Sequence, residues 1–270
     1  GRAATTFFGA TGLDTSHIYF QPGRLGLYFM ETGAGLRPSR IIYDRYESAF
    51  AHAKPETYDW EKIMHGAQWF HWTGITPAVS EAALQACTEA VKTARRLGLR
   101  ISTDVNYRRV LWQYGKKPQD VMPDLVAQCD VAVCTRGDAR DIFGIESTDF
   151  QDMVRKMQAR FPNLKEFIAT KRETLSASHN RLTGLYFDGV NYLESPTFDL
   201  NPIVDRIGGG DAFMAGYIYG SLQYKDPEKA ISFATAASAL KHMIEGDFNR
   251  VSAAEVEQVM GGDVSGKLLR

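Results

Sequence analysis

The chain has 270 residues, of which 44% are hydrophobic, and its 31 basic and 32 acidic residues leave a formal net charge of −1. That length allows one large α/β domain or two small ones, and the balanced charge argues against a nucleic-acid or membrane-surface partner. No apolar run reaches the roughly 18 residues of a membrane span, and no signal peptide is visible. The cysteines Cys87, Cys129 and Cys134 lack metal-ligand spacing, so we expect buried thiols in a cytoplasmic protein.

The first 50 residues are rich in turn-forming Gly and Pro. Between residues 18 and 45, short strand-like pieces alternate with turns, without a helical pattern. This pattern predicts a small antiparallel sheet beside the main layer of the protein. Edge strands of the main sheet would give the same pattern, so the residues alone leave both arrangements open.

From residue 67 onward, short apolar segments alternate with helical ones. The strand-like segments are 67–75, 99–104, 130–134 and 166–170, and a clear helical pattern runs from an N-cap at Ser80 to a stop at Gly98. Such alternation predicts βαβ units and a mostly parallel sheet with helices on both faces. Ligands bind outside the carboxyl ends of the strands in such sheets. Three residues are predicted to lie near those ends: Asp104, Thr135 and Thr170.

Three consecutive glycines, Gly208–Gly210, precede Asp211 in the stretch DRIGGGDAF, residues 205–213. Apolar residues in 212–222 cover nearly every side of a helix, which predicts a buried helix that begins at the glycines. The first turn of a helix offers unpaired N–H groups and partial positive charge, which suit a phosphate. Asp211 would then accept a proton from an attacking hydroxyl. An ordinary strand-to-helix turn with Asp211 as a helix-start residue fits the spacing equally well.

The glycine-rich stretch resembles the second signature of the ribokinase-like (PfkB) carbohydrate kinases, Asp-Thr-x-Gly-Ala/Gly-Gly-Asp, with Arg206 in place of Thr. The similarity covers essentially the whole chain and is strongest to family members that phosphorylate 2-keto-3-deoxygluconate. It extends through residues 12–18, 43–51, 104–108, 203–213 and 239–249. The family usually begins with a further strand and a Gly-Gly-Ala-x-x-Asn helix start. We expect that segment to be missing here, either from the displayed sequence or from the protein.

The resemblance implies a ribokinase-like three-layer α/β/α core with a mostly parallel sheet and a small β lid. Residues 1–50 would form mainly lid strands and lid–core connections, and 51–270 the nucleotide- and sugar-binding core. The implied reaction is ATP-dependent phosphorylation of a sugar acid with Mg²⁺, most simply of 2-keto-3-deoxygluconate to its 6-phosphate. Another sugar kinase of the family, acting on ribose or fructose, and a non-catalytic sugar-binding relative are the alternatives. We further expect a homo-oligomer.

The resemblance also implies roles for particular residues. Asp211 would be the general base, beside an anion hole formed by Gly208, Gly209 and Gly210. The implied substrate contacts are Tyr43, Arg45, Arg108, Asp211 and Asp247. The implied nucleotide contacts are Asn106, Arg108, the three glycines and a loop after a strand that comprises Thr170, Lys171, Arg172, Glu173, Thr174 and Leu175. Asp138 in TRGD, residues 135–138, stands where many members have an acidic Mg²⁺-linked motif, and it is the candidate metal residue.

The chemistry of the residues supports the substrate assignments. Tyr43 and Arg45 are two apart and would share one face of a strand. Arginine is the natural bidentate partner of a carboxylate, and Arg108 falls just past a predicted strand end. Asp247 follows a predicted helix with Asp226 as N-cap and Gly246 as its stop. The six histidines show no metal-ligand spacing.

Overall fold

The computed structural model describes residues 1–262, so residues 263–270 of the predicted core lie outside the described residues. The helices are α1 (Arg2–Ala10), α2 (Trp60–Ile63), α3 (Ile75–Val79), α4 (Glu81–Arg96), α5 (Pro118–Val126), α6 (Arg136–Phe143), α7 (Phe150–Arg160), α8 (Gly209–Tyr224), α9 (Pro227–Lys241) and α10 (Ala253–Met260). The strands are β1 (Leu27–Glu31), β2 (Arg40–Asp44), β3 (Trp69–Thr73), β4 (Arg100–Asp104), β5 (Val131–Val133), β6 (Glu166–Ser176), β7 (His179–Phe187), β8 (Tyr192–Glu194) and β9 (Phe198–Leu200).

A seven-stranded sheet forms the middle layer of the protein. Its strand order is β3-β4-β5-β6-β7-β8, with β9 also paired to β7. Strands β3 to β6 are parallel, whereas β7 runs antiparallel to β6, β8 and β9. The carboxyl ends of the four parallel strands therefore meet at one edge of the sheet, where ligands bind in this class of fold.

Helices cover both faces of this sheet, because neighbouring strand residues point to opposite sides. Phe167 packs into a cluster with residues of α4, α5, α6 and α7, and the next residue, Ile168, packs into a cluster with residues of α8 and α9. Both side chains are fully buried, and burial of such a side chain stabilises the fold by about 1.5–3 kcal/mol. The predicted α/β/α architecture is confirmed.

The predicted helix caps are present where the sequence places them. The Ser80 hydroxyl accepts a hydrogen bond from the Ala83 N–H at 3.0 Å, and the Asp226 carboxylate accepts one from the Glu228 N–H at 3.0 Å. The predicted end of α9 at Gly246 is wrong, because the helix ends at Lys241. The carbonyl of the next residue, His242, accepts bonds from the N–H groups of residues 204 and 205 instead of continuing the helix.

A separate two-stranded antiparallel sheet, hereafter the small sheet, is formed by β1 and β2. In its register, Tyr28 lies opposite Tyr43, and Glu31 lies opposite Arg40. The turn-rich first 50 residues thus contain the small antiparallel sheet that the pattern predicts. The assignment of residues 1–50 as a lid stays a prediction.

The pattern of residues 18–45 gives no sign of the helix that precedes them, because α1 is formed by residues 2–10. The aromatic rings of Phe7 and Phe8 pack on Phe248, with ring centroids 4.5 and 5.4 Å apart. This contact joins residues about 240 positions apart in the chain, so local pattern carries no signal for it.

The predicted nucleotide loop at residues 170–175 is also placed differently, because these residues continue β6. The parallel pairing of β6 with β5 ends at Ile168, but antiparallel pairing with β7 continues from Phe167 to Ser176. Strand β7 supplies the backbone partners that β5 no longer offers, so the chain stays extended and forms a hairpin. The hairpin turn comprises Ala177 and Ser178.

Helix α8 is less completely buried than its composition predicts. Phe213, Met214 and Tyr217 are buried, but a stripe of Asp211, Ala215 and Tyr219 is exposed. No helix within residues 1–262 is long and apolar enough to cross a membrane. The three cysteines are buried and form no disulfide, as expected.

Candidate active site

The three glycines at the start of α8 have different surroundings. Gly208 has φ of 75°, and a Cβ there would overlap the carbonyl oxygen of Asp247. A Cβ at Gly209 would lie 2.6 Å from Cε1 of the His242 ring. A Cβ at Gly210, in contrast, would meet no heavy atom within 4 Å. The chain is therefore closely packed behind the turn and open in front of Gly210.

The first turn of α8 has the electrostatic character of an anion site. The N–H of Gly209 faces the carbonyl oxygen of Arg206 at 3.4 Å, and the Ala212 N–H donates to the Gly208 carbonyl at 2.8 Å. The N–H groups of Gly210 and Asp211 have no backbone acceptor in the described chain. These two donors, together with the helix dipole, favour an anion in the open space.

Carboxylates gather beside this open space, at the carboxyl ends of the strands. Asp104 is the last residue of β4. Burial, and then the negative charge of Asp211, raise the pKa of Asp104 to about 7. Asp138 raises this pKa further, whereas the positive charge of Arg108 lowers it. Parts of the chain more than 100 residues apart thus bring their charges together here, as the sequence predicts for Asp104, Arg108 and Asp211.

The loop after β4 is held in an uncommon conformation. Asn106 has φ of 40°, in the left-handed region that few residues other than glycine adopt. Its N–H donates to the Asp104 carboxylate at 3.0 Å, and its side-chain amide donates to the Thr73 hydroxyl at 3.4 Å. These bonds fix the direction in which residues 106–108 leave the sheet. Arg108 is exposed, and its guanidinium donates to the carbonyl of Tyr107 at 3.0 Å.

The small sheet brings a second group of side chains to the same place. The Tyr28 hydroxyl donates to the Asp247 carboxylate, in the turn that contacts Gly208. The Arg45 guanidinium lies 5.2 Å from the ring centre of Tyr43 and 5.9 Å from that of Tyr28. Removal from water, and then the bond to Asp247, raise the pKa of Tyr28, which keeps its hydroxyl a donor. Of these residues, Tyr28 is the one that sequence reasoning missed.

Two buried charged residues that sequence reasoning also missed join the loops behind the site. One carboxylate oxygen of Asp205 accepts from the Ile207 N–H, and the other accepts from the Gly246 N–H, both at 3.0 Å. Asp205 thus ties the glycine turn to the turn that carries Asp247. Lys241 is fully buried and donates to the carbonyl of Ile244 at 2.9 Å. For Asp205, the signal in the sequence was an acidic residue three positions before the first glycine of the turn.

Positively charged side chains lie near the glycine turn, on the side of the β6–β7 hairpin. The His242 ring is fully buried, and its Nδ1 pairs with the Ser238 carbonyl at 2.7 Å. Burial lowers the pKa of His242, and the positive charges of Arg172, Lys241 and Arg206 lower it further. Two of these three cations are held by backbone carbonyls, Lys241 by Ile244 and Arg206 by Ser176 and Ala177. Arg172 is therefore the cation of this group that suits an anion such as a nucleotide phosphate chain.

Asp138 has a local structural role in addition to its charge. Its carboxylate accepts bonds from the Thr135 N–H at 3.1 Å and from the Thr135 hydroxyl at 2.6 Å. In return, the Thr135 hydroxyl accepts the Asp138 N–H, which completes a capping box at the start of α6. Its role toward a metal stays a prediction.

Within residues 1–262, no three His, Cys, Asp or Glu residues form a ready metal-binding group. Burial, and then the charge of Asp211, raise the pKa of Asp104, and a nearby cation would favour the ionised carboxylate. Mg²⁺ is usually held by one or two carboxylates together with substrate phosphates rather than by a protein cage. The residues present therefore fit an ion that arrives with a nucleotide.

The first turn of α8 can bind an anion, and an exposed carboxylate lies beside it. Together with the fold, this arrangement defines a carbohydrate kinase. A sequence profile described as "pfkB family carbohydrate kinase" matches residues 1–246. The chain therefore belongs to the pfkB family of carbohydrate kinases, which confirms the resemblance.

Several known proteins resemble the chain over nearly its whole length. The crystal structure of 2-dehydro-3-deoxygluconokinase from Thermotoga maritima is 36% identical, with a TM-score of 0.91 over 97% of this chain and 80% of that one. The 2-dehydro-3-deoxygalactonokinase of Haloferax volcanii is 30% identical over 97% of this chain and 79% of its own length. Fructokinase with bound ATP from Xylella fastidiosa is 18% identical, with a TM-score of 0.80 over 97% of this chain and 81% of that one. That last likeness shows the shared fold.

Proposed function

We propose that this kinase transfers the γ-phosphoryl group of ATP to the 6-hydroxyl of a 2-keto-3-deoxy sugar acid, most simply 2-keto-3-deoxygluconate. The observation that carries the proposal is the open first turn of α8. There, Gly210 leaves space for an anion, and the carboxylate of the next residue, Asp211, is exposed to the same space. The names of the relatives at 30–36% identity support a sugar acid as acceptor.

The chemical step follows from these positions. Asp211 accepts the proton of the 6-hydroxyl while the hydroxyl oxygen forms a bond to the γ-phosphorus. The bond from that phosphorus to the bridging oxygen breaks, and ADP leaves with the electron pair. The N–H groups of Gly210 and Asp211 stabilise the negative charge on the transferring phosphoryl group. When bound with ATP, Mg²⁺ would supply further charge neutralisation, with Asp104 and Asp138 as the nearby carboxylates.

Substrate recognition in this proposal is shared between the small sheet and the loop after β4. Arg108 binds the carboxylate of the sugar acid, because its side chain is exposed and, within residues 1–262, its guanidinium bonds only to the Tyr107 carbonyl. Tyr43 and the stacked Arg45 line the opposite side. Asp247, held by Tyr28, accepts a hydrogen bond from a sugar hydroxyl.

Nucleotide binding in this proposal uses the basic side of the site. Arg172 lies near His242, and Thr170, Lys171, Glu173, Thr174 and Leu175 belong to the same exposed stretch of β6. This stretch presents an extended hairpin edge to the nucleotide rather than the loop that the sequence predicted. Asn106 would contact the phosphates from the other side.

The test is a coupled ADP-release assay with ATP and Mg²⁺ over a panel of acceptors: 2-keto-3-deoxygluconate, its galacto epimer, ribose and fructose. We expect the two acids to be phosphorylated and the neutral sugars to be poor substrates. Faster turnover of ribose or fructose would overturn the sugar-acid assignment. No ADP release with any acceptor, despite sugar binding, would support a non-catalytic relative.

The same assay tests the general base. Asp211→Asn should lower kcat by roughly 10²–10⁴-fold, the usual contribution of a general base, and should leave the binding of sugar and nucleotide largely unchanged. Asp141→Asn is the matched control, since Asp141 is exposed and pairs with Arg140 at 2.8 Å. Near wild-type turnover of Asp211→Asn would remove Asp211 from the mechanism.

A further inference from the structure

Arg206 stands where the family signature has Thr, and the mechanism leaves it without a role. Its main chain belongs to the glycine turn, because its carbonyl oxygen faces the Gly209 N–H at 3.4 Å. Its side chain is half-buried and points away from the turn, toward the β6–β7 hairpin. One residue thus contacts two separate parts of the site.

The side chain of Arg206 holds the tip of the hairpin. Its Nη2 donates to the carbonyl oxygens of Ser176 at 3.1 Å and Ala177 at 2.8 Å. Bonds from a charged donor are stronger than bonds between neutral groups. A threonine at position 206 is too short to reach both carbonyls.

The same hairpin tip contacts the small sheet. The Ala177 N–H donates to the Gly35 carbonyl at 2.9 Å, and the Gly35 N–H donates to the Ser178 hydroxyl at 3.1 Å. Gly35 lies in the turn that joins β1 to β2. A continuous set of hydrogen bonds therefore runs from the small sheet, through the hairpin tip and Arg206, to the Gly209 amide.

We propose that Arg206 is a positioning residue that couples the small sheet to the anion-binding turn. On the proposed function, on which this inference rests, a sugar acid contacts the small sheet and the phosphates contact the turn. Binding of the sugar acid fixes the small sheet against the hairpin tip, and Arg206 passes this constraint to the turn. Sugar-acid binding and nucleotide binding therefore favour each other, and by linkage the effect is equal in both directions.

The coupling is measured by calorimetric titration of a non-hydrolysable ATP analogue with Mg²⁺, with and without saturating 2-keto-3-deoxygluconate. The ratio of the two Kd values is the coupling factor. We expect a factor of about 5 or more for the natural chain, within the usual range for coupled sites. Arg206→Thr should reduce the factor to less than about 2, while Kd without sugar changes less than about 3-fold.

Two variants separate coupling from a general loss of structure. Ser178→Ala removes the acceptor of the Gly35 N–H, at the contact with the small sheet, and should lower the factor in the same direction. The double variant Ser178→Ala with Arg206→Thr should lower it no further, because both act on one set of bonds. Arg206→Lys, which keeps a charged donor, should give an intermediate factor.

Arg181→Thr is the matched control on the same hairpin. Its side chain is exposed and lies 3.4 Å from Glu173, without contact to residues 35 or 206. This variant loses the same charge and should keep the coupling factor of the natural chain.

Three results would overturn the proposal. A coupling factor near 1 in the natural chain means that there is nothing for Arg206 to transmit. Equal weakening of nucleotide binding by Arg206→Thr with and without sugar makes Arg206 a direct phosphate ligand. An unchanged coupling factor in Ser178→Ala shows that the hydrogen bond between Ser178 and Gly35 does not carry the coupling. If the natural chain binds no sugar acid, the proposed substrate fails, and the same titrations with the sugar that it does bind still test Arg206.

Discussion

Gly210→Ala should make the protein more stable and less active. The residue lies in the first turn of α8, and an added Cβ would meet no heavy atom within 4 Å. Alanine is favoured over glycine in a helix by up to about 1 kcal/mol, which for a chain of this size corresponds to a rise in Tm of about 1–3 °C. The methyl group would nevertheless occupy the space in which the phosphoryl group is stabilised. Loss of one such donor contact lowers kcat by about 10²–10³-fold.

The assay pairs a thermal melt with steady-state kinetics for ATP and the sugar acid. Gly9→Ala, at an exposed position of α1 with only a side-chain atom at 4.0 Å, controls for helix propensity and should keep full activity. An active Gly210→Ala would refute the anion-binding role of the turn. A variant that loses both stability and activity would show that the space in front of Gly210 is needed for folding.

The remaining predictions concern two charged residues of the site. Arg108→Ala should raise KM for the sugar acid by about 10- to 150-fold, the loss of one charge-assisted bond, and should leave a neutral sugar unaffected; equal harm to both substrates would give Arg108 a structural or nucleotide role. The pKa of Asp104 is raised from 3.8 to about 7, so between these pH values the folded protein binds more protons than the unfolded chain, and this group lowers stability as pH rises. Asp104→Asn removes that penalty, so its stability relative to the natural chain should increase from pH 4 to pH 7 and then level off. Urea unfolding across this range, without nucleotide, checks the sign, and a flat difference would contradict the raised pKa.

Local signals in the sequence predicted the local features of the fold. Ser80 and Asp226 cap their helices because an N-cap depends on the few residues that follow it. The glycine turn and Asp211 were predicted for the same reason. The extension of β6 through Ser176 was not, because it depends on pairing with β7 rather than on the segment itself. The bond between Tyr28 and Asp247 joins residues 219 positions apart, and no spacing rule reports it.

The small sheet has a consequence for the energetics of binding. An isolated two-stranded sheet is marginally stable in water, so β1 and β2 owe their order largely to contacts with the core, such as the bond between Tyr28 and Asp247. Local opening of this sheet therefore costs little free energy compared with unfolding of the seven-stranded sheet. A ligand bound between the two would use part of its binding energy to hold the small sheet in place. The measured association constant of that ligand would then be the intrinsic constant multiplied by the fraction of molecules in which the small sheet is in place.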